Sequence, residues 1–151
     1  MRKLIMVLAL MFAIVAISEA QILTTNLPKG VSYVNVNTDY TLTNTTAAYW
    51  QINTQPEWYT GQTVIVNLDS LTGNHTNIAV NLWGRVSDQL DWTQIGSTVN
   101  YLGRTATHDT TITITNATEV LYRQYKLLIT GTGTGTTKID RMEFKFYNGT
   151  M

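Results

Sequence analysis

LYRQYKLLITGTGTGTTKIDRMEFKFY, residues Leu121 to Tyr147, is the stretch that decides the fold. Two runs rich in β-branched and aromatic residues flank a Gly-Thr tract, a pattern that predicts a long β-hairpin with a polar loop from Thr130 to Thr137. In the second run Met142, Phe144 and Phe146 share one face of a strand, opposite Glu143, Lys145 and Tyr147, because strand side chains alternate. An arm that is apolar on one side must bury that side against a second layer, so the remaining chain has to supply partner strands. The Gly-Thr tract is not a phosphate cradle, since neither a Lys-Ser/Thr ending nor a helical pattern follows it. It reads as a flexible tip, where shortening between Gly131 and Gly135 should cost little.

Working outward, the same period-two alternation recurs. Val34 and Val36 share a face, as do Trp50 and Ile52, then Val64, Val66 and Leu68. Ile78, Val80 and Leu82 oppose Ala79, Asn81 and Trp83, while Ile112 and Ile114 point inward between outward threonines. Turn signals separate these runs at Pro28-Gly30, Asn37-Asp39, Gly73-Asn74 and Gly96-Ser97. Pro56 makes the Thr54 to Gly61 connection a loop or an edge, because proline cannot donate to a ladder. No segment after the leader keeps a helical period. The expected fold is all-β: an antiparallel, jelly-roll-like β-sandwich of about eight or nine strands in one domain, residues 21–151.

The N-terminus reads separately. Met1-Arg2-Lys3 precedes an apolar run from Leu4 to Ile17, and Ser18-Glu19-Ala20 follows. A basic head, an apolar stretch short for a membrane span and small residues at the cleavage spacing predict a signal peptide over residues 1–20, cut after Ala20. The expected location is secreted or cell envelope and periplasm, with no stable membrane span after signal removal. Removing residues 1–20 takes away Arg2, Lys3 and Glu19 and leaves eight basic and nine acidic residues. That balance, without a basic cluster, gives no electrostatic footprint for nucleic acid. The chain has no cysteine, which excludes disulfide scaffolds, thiolate zinc sites and cysteine nucleophiles.

Leu82-Trp83-Gly84-Arg85-Val86-Ser87-Asp88, Trp92-Thr93-Gln94-Ile95-Gly96, Tyr122-Arg123-Gln124-Tyr125-Lys126-Leu127 and Thr130-Gly131-Thr132-Gly133 together resemble small β-sandwich modules of bacteriophage virion-associated proteins and uncharacterised viral metagenome sequences. In those modules a strand ending near Gly leads through a turn to a Trp-containing strand, and a Tyr-Arg-Tyr strand leads into a Gly-Thr loop. The discoidin-like, galactose-binding sandwiches show a looser version of the plan. The resemblance spans about Tyr40 to Tyr147 and implies a β-sandwich acting by surface contact, attached to a virion or, given the export signal, to a bacterial surface.

Candidate chemistry is sparse. His75 and His108 fall in expected loops as solvated side chains, and Asp88 and Asp91 bracket one turn as capping carboxylates. Neither set supplies a catalytic triad or the six to eight oxygens calcium wants. No cofactor, metal site or enzymatic activity is expected. Asn44, Asn74, Asn116 and Asn148 begin Asn-x-Thr sequons that matter only in a glycosylating host. Trp50, Trp58, Tyr59, Trp83 and Trp92 offer flat apolar faces for a sugar ring, with Trp58, Tyr59 and Trp83 the candidates for exposed contact with a glycan or protein. Two functions follow: a structural or interaction module with a protein partner or self-association, in adhesion or as a virion accessory, and alternatively a carbohydrate-binding module for a surface glycan.

Overall fold

Among the residues that the computed structural model describes (18–27, 33–43, 46–54, 61–72, 75–102, 108–115 and 122–147), alternation becomes nine strands. They are β1 (Ser18–Asn26), β2 (Tyr33–Thr43), β3 (Thr46–Asn53), β4 (Gly61–Thr72), β5 (His75–Arg85), β6 (Thr93–Leu102), β7 (His108–Thr115), β8 (Gln124–Gly133) and β9 (Thr136–Tyr147). A five-stranded sheet, ordered β1-β3-β8-β5-β6, and a four-stranded sheet, ordered β2-β9-β4-β7, form an all-β sandwich. The pairs are antiparallel except β1 with β3, which run parallel. Along the chain every connection but β5 to β6 changes sheet.

That rule overturns the hairpin reading of Leu121 to Tyr147. β8 is the central strand of one sheet and β9 an interior strand of the other, so the two arms face each other and do not pair. The physical reason is that both arms carry an apolar face. Tyr125, Leu127 and Ile129 on β8, and Met142, Phe144 and Phe146 on β9, are all buried, and each face covers the other across the sandwich. Nor is the Gly-Thr tract a loose tip: β8 runs through Gly133, β9 starts at Thr136, and Gly133 adopts φ 103 at the corner. A Cβ on Gly131 would lie 2.6 Å from the His75 Nε2, so this strand must approach the imidazole without a side chain. The expectation that shortening here costs little is therefore corrected.

The inward positions fall where alternation predicts. Trp50, Ile52, Val64, Val66, Val80 and Phe144 are completely buried. Trp50 of β3 meets Phe144 of β9 edge-on at 6.4 Å, and Tyr125 of β8 packs 5.5 Å from Phe144 and 5.2 Å from Phe146, so aromatic contacts join the sheets. Gln62 of β4, also buried, donates its Nε2 to the Tyr125 hydroxyl at 3.1 Å.

Three irregularities depart from the sequence reading. β6 is one strand, not two; Gly96, at φ 68, sits where its register against β5 shifts between Val80 and Leu82. β9 bulges at Asp140, where its register shifts against both neighbours. β1 was not anticipated, and it begins at Ser18, across the expected cleavage point; the portion after Ala20 pairs with β3 from Gln21–Tyr49 to Asn26–Asn53. Among the described residues, no helix is long and apolar enough to cross a membrane.

Candidate functional site

The outer face of the five-stranded sheet is built by the residues that alternate with the core. On β3 these are Tyr49, Gln51 and Asn53; on β8, Leu128, Lys126 and Gln124; on β5, Asn81, Trp83 and Arg85. Register sets them in rungs. Gln51, Lys126, Trp83 and Gln94 lie side by side across four strands, and Asn53, Gln124 and Arg85 form the next rung. With strands about 4.8 Å apart, the first rung spans about 14 Å.

Trp83 thus points away from the core, as expected. It is half-buried among its neighbours. Its indole Nε1 is shielded and has no hydrogen-bond acceptor in the structure, so the surface that Trp83 presents is apolar ring. Trp92 lies just before β6. The Arg85 guanidinium lies 4.4 Å from the Trp92 ring centroid, and the Lys126 Nζ is 5.4 Å from that ring and 5.5 Å from the Tyr49 ring. Arg85 also donates from Nε to the Gln124 Oε1. Beside the rings, Gln94 donates to Asn81 at 3.4 Å and to Thr98 at 3.2 Å, giving a row of carboxamides and hydroxyls at the β6 side.

The face ends in a groove of about 410 Å³ lined by Asn53, Thr54, Ser87, Asp88, Arg123 and Gln124. Its floor continues the ladder by one rung: the Arg123 N–H donates to the Arg85 carbonyl at 3.1 Å, and the Thr54 N–H donates to the Arg123 carbonyl at 2.8 Å.

Of the three candidate contact residues, Trp83 lies on this face, and Trp58 and Tyr59 lie outside the described residues. Trp50 is withdrawn as a ligand ring because it is wholly buried. His75 is not a solvated loop residue. It opens β5, is 3% exposed, and pairs its Nδ1 with the Thr137 Oγ1 at 2.7 Å; burial holds its pKa below the usual histidine value. His108 begins β7 opposite Leu68 and is not in a loop. Asp88 meets Arg85 at 3.6 Å and is well exposed, which suits its expected place in a turn. Among the described residues no group of three or more His, Asp or Glu is arranged to hold a metal. Tyr49, Lys126 and Gln51 escaped the sequence reading, although strict alternation along β3 and β8 already set them opposite Trp50, Leu127 and Ile52.

No protein-family model matches the chain, and no curated protein matches it. Solved structures do. The fold is similar to that of a non-crystalline cellulose specific carbohydrate-binding module, CBM28, with a TM-score of 0.53 at 12% identity, covering 81% of this chain and 78% of that one. It is similar also to the xylan-binding module CBM15, with a TM-score of 0.50 at 11% identity over 82% of this chain and 96% of that one. At such identities the likeness is one of fold.

Proposed function

We propose that this protein is a non-catalytic carbohydrate-binding module, exported by its leader and acting outside the cytoplasm, with its binding surface on the outer face of the five-stranded sheet. The observation that carries the reading is the rung Gln51, Lys126, Trp83 and Gln94, which sets an aromatic ring among amide and ammonium donors on a rigid sheet. A pyranose packs its apolar C–H face on such a ring while its hydroxyls meet the flanking polar groups, and strands hold that geometry with little loss of entropy on binding. The likeness in fold to modules specific for cellulose and xylan supports the same reading.

A glycan array with the exported protein tests it. Retention of one or more saccharides is expected, with affinity falling at least about fivefold in Trp83→Ala, since an aromatic contact contributes on the order of 1 kcal/mol beyond area alone. If nothing is retained, the reading fails. If binding survives Trp83→Ala unchanged, the contact face is elsewhere, with Trp58→Ala and Tyr59→Ala the next variants. Light scattering separates this function from the assembly role implied by the virion-module resemblance: a sugar-blind oligomer favours assembly.

A further inference from the structure

We infer that the groove at the end of the five-stranded sheet is a second sugar subsite, in line with Trp83, and that the ligand is a neutral oligosaccharide chain lying along the strands. This rests on the carbohydrate-binding reading above and adds the length, direction and charge class of the glycan.

Placement comes first. Trp83 and Arg85 are two residues apart on one side of β5, about 7 Å at the rise of a strand, and the groove lies past them. It begins at Asn53 and Gln124, which stand in the Arg85 rung, and the turn from Val86 to Gln89 supplies much of the remaining lining. A single pyranose on the Trp83 ring is too short to reach that far, whereas a chain that follows the strand direction enters the groove. The floor there is tied in advance. The Arg123 N–H donates to the Arg85 carbonyl at 3.1 Å, while the N–H and the hydroxyl of Thr54 donate to the Arg123 carbonyl at 2.8 and 3.1 Å. The groove's volume of about 410 Å³ falls inside the range of about 300–1,000 Å³ for small-molecule sites, and a pre-formed floor loses little entropy on binding.

The lining suits hydroxyls better than anions. Each sugar hydroxyl both donates and accepts, so neighbouring hydroxyls need a donor and an acceptor side by side. Asp88 supplies the acceptor: a carboxylate has about four lone-pair sites, and its loose 3.6 Å pair with Arg85 leaves most of them for a ligand. Arg123, exposed at the groove, and Gln124 supply donors. Arg85 donates to the Gln124 Oε1, and the amide Nε2 has no acceptor among the described residues. Val86, 39% exposed, adds apolar surface for ring C–H groups. An acidic sugar would gain Arg123 but meet the Asp88 carboxylate, so a groove that carries both signs favours neutral rings.

Affinity electrophoresis followed by calorimetry tests the subsite. Gels carry hydroxyethylcellulose, xylan, galactomannan or polygalacturonate, and the disaccharide and hexasaccharide that match the retarding neutral polymer are then titrated into the exported protein. The hexasaccharide is expected to bind at least about tenfold tighter than the disaccharide, the worth of one charge-assisted hydrogen bond gained in the groove. Arg123→Ala and Asp88→Ala should each remove most of that gain, whereas Trp83→Ala weakens both saccharides. Both groove side chains are exposed, and the melting midpoint of each variant shows whether the sheet survives. A gain that persists in both folded variants, or a disaccharide bound as tightly as the hexasaccharide, would overturn the groove subsite and leave the carbohydrate-binding reading standing. Stronger retardation by polygalacturonate than by any neutral polymer would overturn the neutral class. No retardation by any polymer would overturn the subsite and the carbohydrate-binding reading together.

Discussion

The two outer faces of the sandwich handle charge in opposite ways. On the four-stranded sheet, Glu143 has only 9% of its side chain exposed and forms ion pairs with Arg141 at 2.7 Å and Lys145 at 3.6 Å, while Lys138 meets Asp140 at 3.0 Å. Each cation there has its counter-ion on the same strand, and the face closes upon itself. On the five-stranded sheet Arg85 and Lys126 lie against aromatic rings, and Arg85 also meets Asp88 at 3.6 Å. The Lys138–Asp140 pair is partly exposed and stabilises by at most about 1 kcal/mol, while Arg141 and Lys145 neutralise a carboxylate that the sheet shields from water. The second face sets cations and ring surface side by side. One face matches ions with ions, and the other matches cations with rings.

Both faces depend on one shared core, and that dependence can be broken. Phe144→Ala should cost about 3–5 kcal/mol in chemical denaturation, because the ring is fully buried and contacts Trp50, Tyr125 and Phe146 from both sheets. A loss near zero would mean that the sheets do not share this core. Gly131→Ala tests the seam where the chain passes from one sheet to the other. Its new methyl group would overlap the His75 ring, whose nearest atoms lie 2.6–3.0 Å away, and overpacking of this kind costs about 1–3 kcal/mol. The exposed neighbour Thr134→Ala, changed in the same tract, should stay within about 0.5 kcal/mol.

Alternation makes the layers legible in the sequence: the faces of Trp50 and Ile52, of Val64 to Leu68, of Ile112 and Ile114, and of Met142 to Phe146 are all buried as period two requires. Pairing was not legible, and Leu121 to Tyr147 shows why. Two apolar-faced strands joined by a short glycine-rich link satisfy a hairpin and a sheet-crossing corner equally well in one dimension. Choosing between them takes β3 and β5, which flank β8, and β2 and β4, which flank β9, and those partners are distant in sequence. The site divides the same way. Trp83 could be assigned outward from its own strand, whereas the meeting of Arg85, Trp92, Lys126 and Tyr49 is a product of long-range register across β3, β8 and β5. The turn signal at Gly73-Asn74 places His75 in a loop, but it does not reveal that β4 and β5 lie in different sheets or that the first side chain of β5 is buried.

That buried imidazole gives the finest probe of how the sheets are joined. His75 sits on β5 of one sheet, bonds Thr137 on β9 of the other, and lies against Gly131 of β8. Burial disfavours its charged form, so its pKa in the folded protein lies below the value of 6.5 that an unfolded histidine takes. The sign follows directly. Above about pH 6.5 both states hold neutral imidazole and the full stability is present; as pH falls below that, the unfolded chain takes up a proton that the folded one resists, and stability declines toward the depressed folded value. Denaturation midpoints measured from pH 7.5 down to about 5 should therefore fall, with His75 contributing a slope of at most one proton per molecule, before carboxylates begin to titrate. His75→Gln should flatten that slope. A slope unchanged in His75→Gln would place the titration elsewhere and remove His75 as a reporter of the seam.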